Sequence, residues 1–128
     1  MEFRFIHFYP DLMSLYGSYG SLAALRRYLE RLGNTVTVEE VRPGEAAEIS
    51  GADFLFMGAG TERQARAAAG DFARFGQAVK AAAGGGTAML FAGTAMDLRG
   101  ERVTEADGSS YAGIGLAGFS TVHGGKRI

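Results

Sequence analysis

The stretch Thr87-Ala88-Met89-Leu90-Phe91-Ala92-Gly93-Thr94-Ala95-Met96-Asp97-Leu98 decides the fold. Thr87 to Ala92 carries no charge and reads as a strand. Gly93 reads as a sharp turn, and a short helix follows to about Arg99. In many α/β enzymes such a corner carries the nucleophile, because the strained strand-to-helix turn lifts one side chain clear of the sheet. Here the corner holds a glycine, and the chain contains no cysteine. The sequence therefore has the frame of an active site without the atom that would do its chemistry.

Upstream, Asp53-Phe54-Leu55-Phe56-Met57 is apolar after its aspartate, which suits a central strand buried on both faces. Thr87 to Ala92 is continuous in the same way. Between them, Gly58-Ala59-Gly60 makes a turn and Thr61 caps a helix, with Gln64 in capping-box register. Ala68, Phe72, Phe75 and Val79 form that helix's apolar stripe, which predicts a helix over Glu62 to Ala83, ended by Gly84-Gly85-Gly86. A first strand runs from Phe3 to Phe8, and Pro10 breaks it. After a loop with Tyr16-Gly17-Ser18-Tyr19-Gly20, Leu22, Leu25, Leu29 and Leu32 recur at helical spacing, with Arg26, Arg27, Glu30 and Arg31 on the opposite face. This predicts a helix over Gly20 to Leu32, stopped at Gly33-Asn34. Val36 to Val41 is the remaining strand, and the alternation Thr35-Val36-Thr37-Val38 places it near an edge. Beyond Gly100 the chain is rich in glycine, with short strand-like pieces near Tyr111 and at Phe119 to Val122.

Strands alternating with helices in this way predict an α/β fold: an open, mostly parallel, flavodoxin-like sheet with helices on both faces. No repeat or linker divides the chain, so one domain is expected over residues 1–128. Ligands in such folds bind at the carboxyl ends of the strands. The loops Tyr9 to Gly20, Gly58 to Thr61 and Gly93 to Ala95 should then share one rim.

Composition narrows the function. The chain has 128 residues, of which 47% are hydrophobic and 21% charged, enough for a real core. The formal net charge of −1 gives no electrostatic case for nucleic acid or an anionic membrane surface. Without cysteine there are no disulfides, thiolates or cysteine-zinc sites. No run of about 18 apolar residues marks a membrane span. Glu2 and Arg4 sit inside the first strand where a signal peptide would be apolar, so a cytoplasmic protein is expected.

Several residues carry possible chemistry, each beside a plainer role. Gly58-Ala59-Gly60 can direct backbone N–H groups at an anion or carbonyl, or be only a tight turn. It lacks the third glycine of a dinucleotide fingerprint, because Arg63 occupies that place. Thr94 is read as a helix cap, since a threonine nucleophile would need a base beside it. His7, on a strand of Phe and Ile, is read as a core or rim histidine with a satisfied hydrogen bond. His123 is read as exposed. The two histidines lack metal-ligand spacing. Glu39, Glu40, Glu45 and Glu48 read as a solvated edge, and Arg26, Arg27 and Arg31 as a helix outer face. Tyr9, Tyr16 and Tyr19 read as packing residues on the predicted rim.

Taken together, these segments resemble the class I glutamine amidotransferases of the CobB/CobQ type and, within that type, the GatD subunits of the MurT–GatD lipid II isoglutaminyl synthases. The resemblance rests on His7-Phe8-Tyr9-Pro10-Asp11-Leu12, Leu15-Tyr16-Gly17, Met57 to Gln64, Leu90 to Gly100, Gly113-Ile114-Gly115-Leu116 and Gly125-Lys126-Arg127-Ile128. The departures are as informative as the matches. The family's catalytic cysteine falls on Gly93, a vacated nucleophile position, and the two glycines after it fall on Thr94 and Ala95. The middle glycine of the oxyanion segment is Ala59. An Asp and an Asn common in the first loop fall on Ser18 and Ser21. The family's catalytic histidine and its acidic partner come from a C-terminal segment that this chain does not contain, so the reading is of a truncated member.

The resemblance therefore implies a fold and a scaffold but transfers no catalytic residue. The expected substrate-binding positions are Gly58, Ala59, Gly60 and Thr94, with no metal and no cofactor. The partner implied is a Mur-ligase-like synthetase, and an exposed sheet edge makes a homo-oligomer a second expectation. Two functions follow. One is an inactive amidotransferase-like module kept for binding or docking. The other is a fragment or substituted form of an active glutaminase that supplies ammonia in cell-wall precursor amidation. A flavodoxin-like small-ligand binder using the same rim is a third reading.

Overall fold

The structure is a computed structural model that describes residues 1–17 and 19–124. Four parallel strands form the main sheet: β1 (Glu2–Phe8), β2 (Thr35–Val41), β3 (Phe54–Met57) and β4 (Ala88–Phe91), in the order β2-β1-β3-β4. Helix α1 (Gly20–Arg31) links β1 to β2, and α2 (Glu62–Phe72) and α3 (Gly76–Gly84) link β3 to β4. This is the α/β architecture expected from the sequence.

Strand alternation sorts the core into two layers. On one face Phe5, Val36 and Phe56 pack with Leu22 of α1, and Leu25 and Leu29 support them. On the other face Ile6, Phe8, Leu55, Met57 and Phe91 meet Phe72, Phe75 and Val79 from the α2–α3 side. Phe8 and Phe72 stand edge to face with centroids 5.1 Å apart. Each such ring taken fully from water contributes about 1.5–3 kcal/mol, so this cluster anchors the sheet.

Three expectations are corrected. First, β4 is an edge strand, not a strand buried on both faces. Met89 and Phe91 turn toward the α2–α3 core, while Leu90, beside Phe56, is 42% exposed because α1 packs over β1, β2 and β3. Second, the helix expected over Glu62 to Ala83 is broken. A 3-10 turn at Ala73–Phe75 separates α2 from α3. Both Phe72 and Phe75 stay in the core across this turn. Arg74 bridges back to Asp71 at 3.0 Å and lies over the Phe75 ring at 4.1 Å. Third, the glycine-rich tail holds more strand than expected. Strands β5 (Arg102–Thr104), β6 (Ser110–Ala112) and β7 (Ser120–Val122) form a second sheet, with β5 in the middle. This sheet follows a 3-10 helix, Gly93–Arg99, and is tied to it by Ile114 N–H to Leu98 C=O at 2.9 Å and Leu116 N–H to Arg99 C=O at 2.8 Å. Among the described residues no helix is long and apolar enough to cross a membrane.

Candidate functional site

The carboxyl ends of β3 and β4 bring two of the predicted loops into contact. Thr61, in extended geometry, caps α2 through the full capping box with Gln64, as its sequence position requires. This fixes Gly58-Ala59-Gly60 as a short turn. At Gly60 a β-carbon would come within 2.6 Å of the Met13 sulfur and 3.1 Å of Gln64 Cβ, so a side chain there would force Met13 to shift. The first loop touches the same turn, since Leu15 N–H donates to Ala59 C=O at 2.8 Å.

On the β4 side, Gly93 has φ +54°, a left-handed conformation that a side chain makes costly. A β-carbon on Gly93 would also sit 2.8 Å from the Ala59 methyl carbon. That methyl belongs to a short side chain fixed to backbone, so it cannot swing aside. The strand-to-helix corner is thus held open to no side chain, by backbone conformation and by its neighbour.

Thr94 acts differently from the expected helix cap. Its Oγ1 accepts the Gly60 N–H at 3.0 Å and donates to the Gly60 C=O at 2.7 Å. One hydroxyl satisfies both backbone groups of Gly60 and stitches the two loops together. A Gly60 amide engaged in this way is not directed at a ligand. Gly58, Ala59, Gly60 and Thr94 are therefore brought together as the sequence suggests, in a corner where the Thr94 hydroxyl and the Gly60 peptide groups serve one another.

Tyr9 leaves the predicted rim. It is the described non-glycine residue with positive φ, +56°, and its ring is fully buried. Its hydroxyl donates to Asp71 Oδ2 at 2.6 Å, and Asp71 Oδ1 accepts the Gly44 N–H at 2.9 Å. Burial and the Asp71 hydrogen bond push the Tyr9 phenol well above its ordinary value. For Asp71, burial opposes the charge, but hydrogen bonds from Arg74, Tyr9 and Gly44 outweigh it and hold the carboxyl below the ordinary aspartate value. This pair staples the β1 end to α2.

His7 is buried as expected, at 6% exposure, but its hydrogen bonding is not satisfied: Nε2 has no partner. The ring stands edge-on to Phe56, with centroids 5.0 Å apart. Burial lowers its pKa below the ordinary value, Glu40 and Asp11 pull upward, and Arg42 adds to the lowering. His123, expected to be exposed, is partly buried between two carboxylates. Its Nδ1 lies 3.5 Å from Glu62 Oε1 and its Nε2 3.4 Å from Asp97 Oδ2. The expected solvated carboxylates are also more engaged than read: Glu39 pairs with Arg4 at 2.9 Å, and Glu45 accepts the Arg42 N–H at 2.6 Å. Ser18 and Gly125 to Ile128, quoted above, lie outside the described residues, and Ser21 is the second residue of α1.

Sequence reasoning missed a second recess, of about 470 Å³, on the α1 side of the sheet. His7, Asp11, Arg26 and Glu40 converge on it from four separate elements. No spacing in the sequence signals that convergence.

No family model matches the chain. It is similar to the GatD subunit of lipid II isoglutaminyl synthase (glutamine-hydrolyzing) from Staphylococcus aureus, at 26% identity over 127 residues. The match covers 99% of the chain and 52% of the relative, so the chain spans about half the length of the curated relative it matches. The relationship is distant, and it is GatD-like and glutamine amidotransferase-like in kind.

Proposed function

We propose that this chain is a glutamine amidotransferase-like module of the GatD kind that does not hydrolyse glutamine and serves by docking on a Mur-ligase-like synthetase. Its relative is named as a subunit of a glutamine-hydrolysing synthase. A glutaminase needs a nucleophile, a base beside it and donors for the oxyanion, and losing the nucleophile alone lowers acyl transfer by orders of magnitude.

One observation carries the reading. The Ala59 methyl stands 2.8 Å from where any β-carbon on Gly93 would lie. A corner with no side chain and no space for one does not present a nucleophile. The engagement of the Gly60 amide by Thr94 supports the same reading, because it removes an oxyanion donor. The other reading, a substituted form of an active glutaminase, requires both the corner and that amide to be free.

The test is ammonia release from glutamine by the purified chain, alone and mixed with a Mur-ligase-like synthetase. Release equal to the protein-free control, with co-elution of the two proteins on gel filtration, is expected. Release that scales with the chain and disappears in Gly93→Pro overturns the inactive reading. Separate elution overturns the docking role.

A further inference from the structure

The recess on the α1 side shares no lining residue with the Gly58–Gly60 and Gly93–Thr94 corner. It opens at the carboxyl ends of β1 and β2, with Tyr19, Leu22 and Arg26 of the α1 region on one wall and Glu40 on the other. Its volume of about 470 Å³ is in the range of small-molecule sites.

Charges of both signs line this space, and two of them, Arg26 and Glu40, are loosely engaged. Arg26 lies 3.7 Å from Glu30, an exposed pair of little strength. Glu40 lies 3.7 Å from Arg42, whose Nε is committed to Asp11 at 2.7 Å. The helix wall adds a third feature. Tyr19, the N-cap of the 12-residue α1, supplies no side-chain cap, so the positive end of the helix is not answered by that residue. The fourth is independent of the others: the His7 imidazole lines the same recess and is 6% exposed, with its unpartnered Nε2 itself shielded.

We propose that this recess binds a small zwitterion of the amino-acid class, its carboxylate at Arg26 and the α1 N-terminus, its ammonium at Glu40, with the His7 imidazole as the contact at the floor. A simple anion would meet Glu40 and Asp11, and a simple cation would meet Arg26. Only a ligand with both charges uses every group. The proposal does not depend on the amidotransferase-like reading, since none of its residues belongs to the corner.

The experiment is an amide-resolved NMR titration of the full chain with each common L-amino acid in turn. The best binder is then repeated as its N-acetyl and its carboxamide derivative, with inorganic phosphate as a further arm. Saturable shifts are expected at His7, Tyr19 to Arg26 and Glu40, and each blocked derivative should bind at least about tenfold more weakly, the loss of one charge-assisted contact. Arg26→Gln and Glu40→Gln, both surface changes, should each weaken binding by about the same factor. The proposal is overturned if no amino acid gives saturable shifts there, or if the shifts fall at Gly58–Gly60 and Gly93–Thr94. It is also overturned if either variant binds like the parent, or if phosphate or a blocked derivative binds as well as the amino acid.

Discussion

The two halves of the strand-end rim use their polar groups in opposite ways. At the β3–β4 half, Thr94 answers both backbone groups of Gly60, and the Ala59 methyl fills the place beside Gly93. At the β1–β2 half, His7 keeps an unpartnered nitrogen, and Arg26 and Glu40, each in a loose ion pair, line the recess. Both halves belong to one sheet and lie side by side, since β1 pairs with β3. The difference teaches that a motif in the sequence and a usable site in the fold are separate properties. Glycines permit close approach, and close approach can close a site as readily as open one.

The largest effect should come from forcing a side chain into the closed half. Gly93→Cys meets the Ala59 methyl and a positive φ together. Overpacking and the left-handed backbone should cost about 2–4 kcal/mol of stability, read by urea denaturation. The variant should release no ammonia from glutamine. A stable, active Gly93→Cys protein would erase the contrast between the two halves.

A smaller effect is expected from unstitching the same corner. Thr94→Val keeps the volume and removes the hydroxyl, leaving the Gly60 N–H and C=O without that partner. The expected cost is about 1–3 kcal/mol, and Thr94→Ser should recover most of it. If valine is tolerated without loss, the corner is not held shut by this hydroxyl.

The smallest effect lies in the open half and depends on pH. Burial lowers the folded pKa of His7 below its ordinary value of 6.5. The unfolded chain then takes up the proton first, so this contribution to stability is complete above pH 6.5 and is lost as pH falls from there toward the folded value. Denaturation midpoints should drop across that window in the parent and stay level in His7→Phe. A parent profile as flat as the variant's would show that the recess already hydrates the imidazole.

Much of the fold was legible because it rests on local rules. The capping box at Thr61 and Gln64, the apolar run of β3 and the leucine spacing of α1 each follow from periodicity and end chemistry. What failed depends on neighbours. The run at β4 is as apolar as a central strand, yet its place at the edge is set by what lies beyond it in the sheet. The break at Ala73–Phe75 falls within one continuous apolar stripe, Ala68, Phe72, Phe75 and Val79, so the stripe does not reveal it. β5 is three residues long and begins beside a charge. Of the site, the meeting of Gly58–Gly60 with Gly93–Thr94 was legible. The direction of the Tyr9 ring and the convergence of His7, Arg26 and Glu40 were not, because a strained turn sets the first and tertiary packing the second.

The central claim is that Ala59 and Gly93 are one steric choice, and a double-mutant cycle tests it directly. Stabilities are measured for the parent, Ala59→Gly, Gly93→Cys and the double variant. Removing the Ala59 methyl should relieve the clash and leave only the cost of positive φ, so the cysteine should be about 1–3 kcal/mol less destabilising in the Ala59→Gly background. Additive effects, with a coupling below about 0.5 kcal/mol, would contradict the account and show that Ala59 does not close the corner.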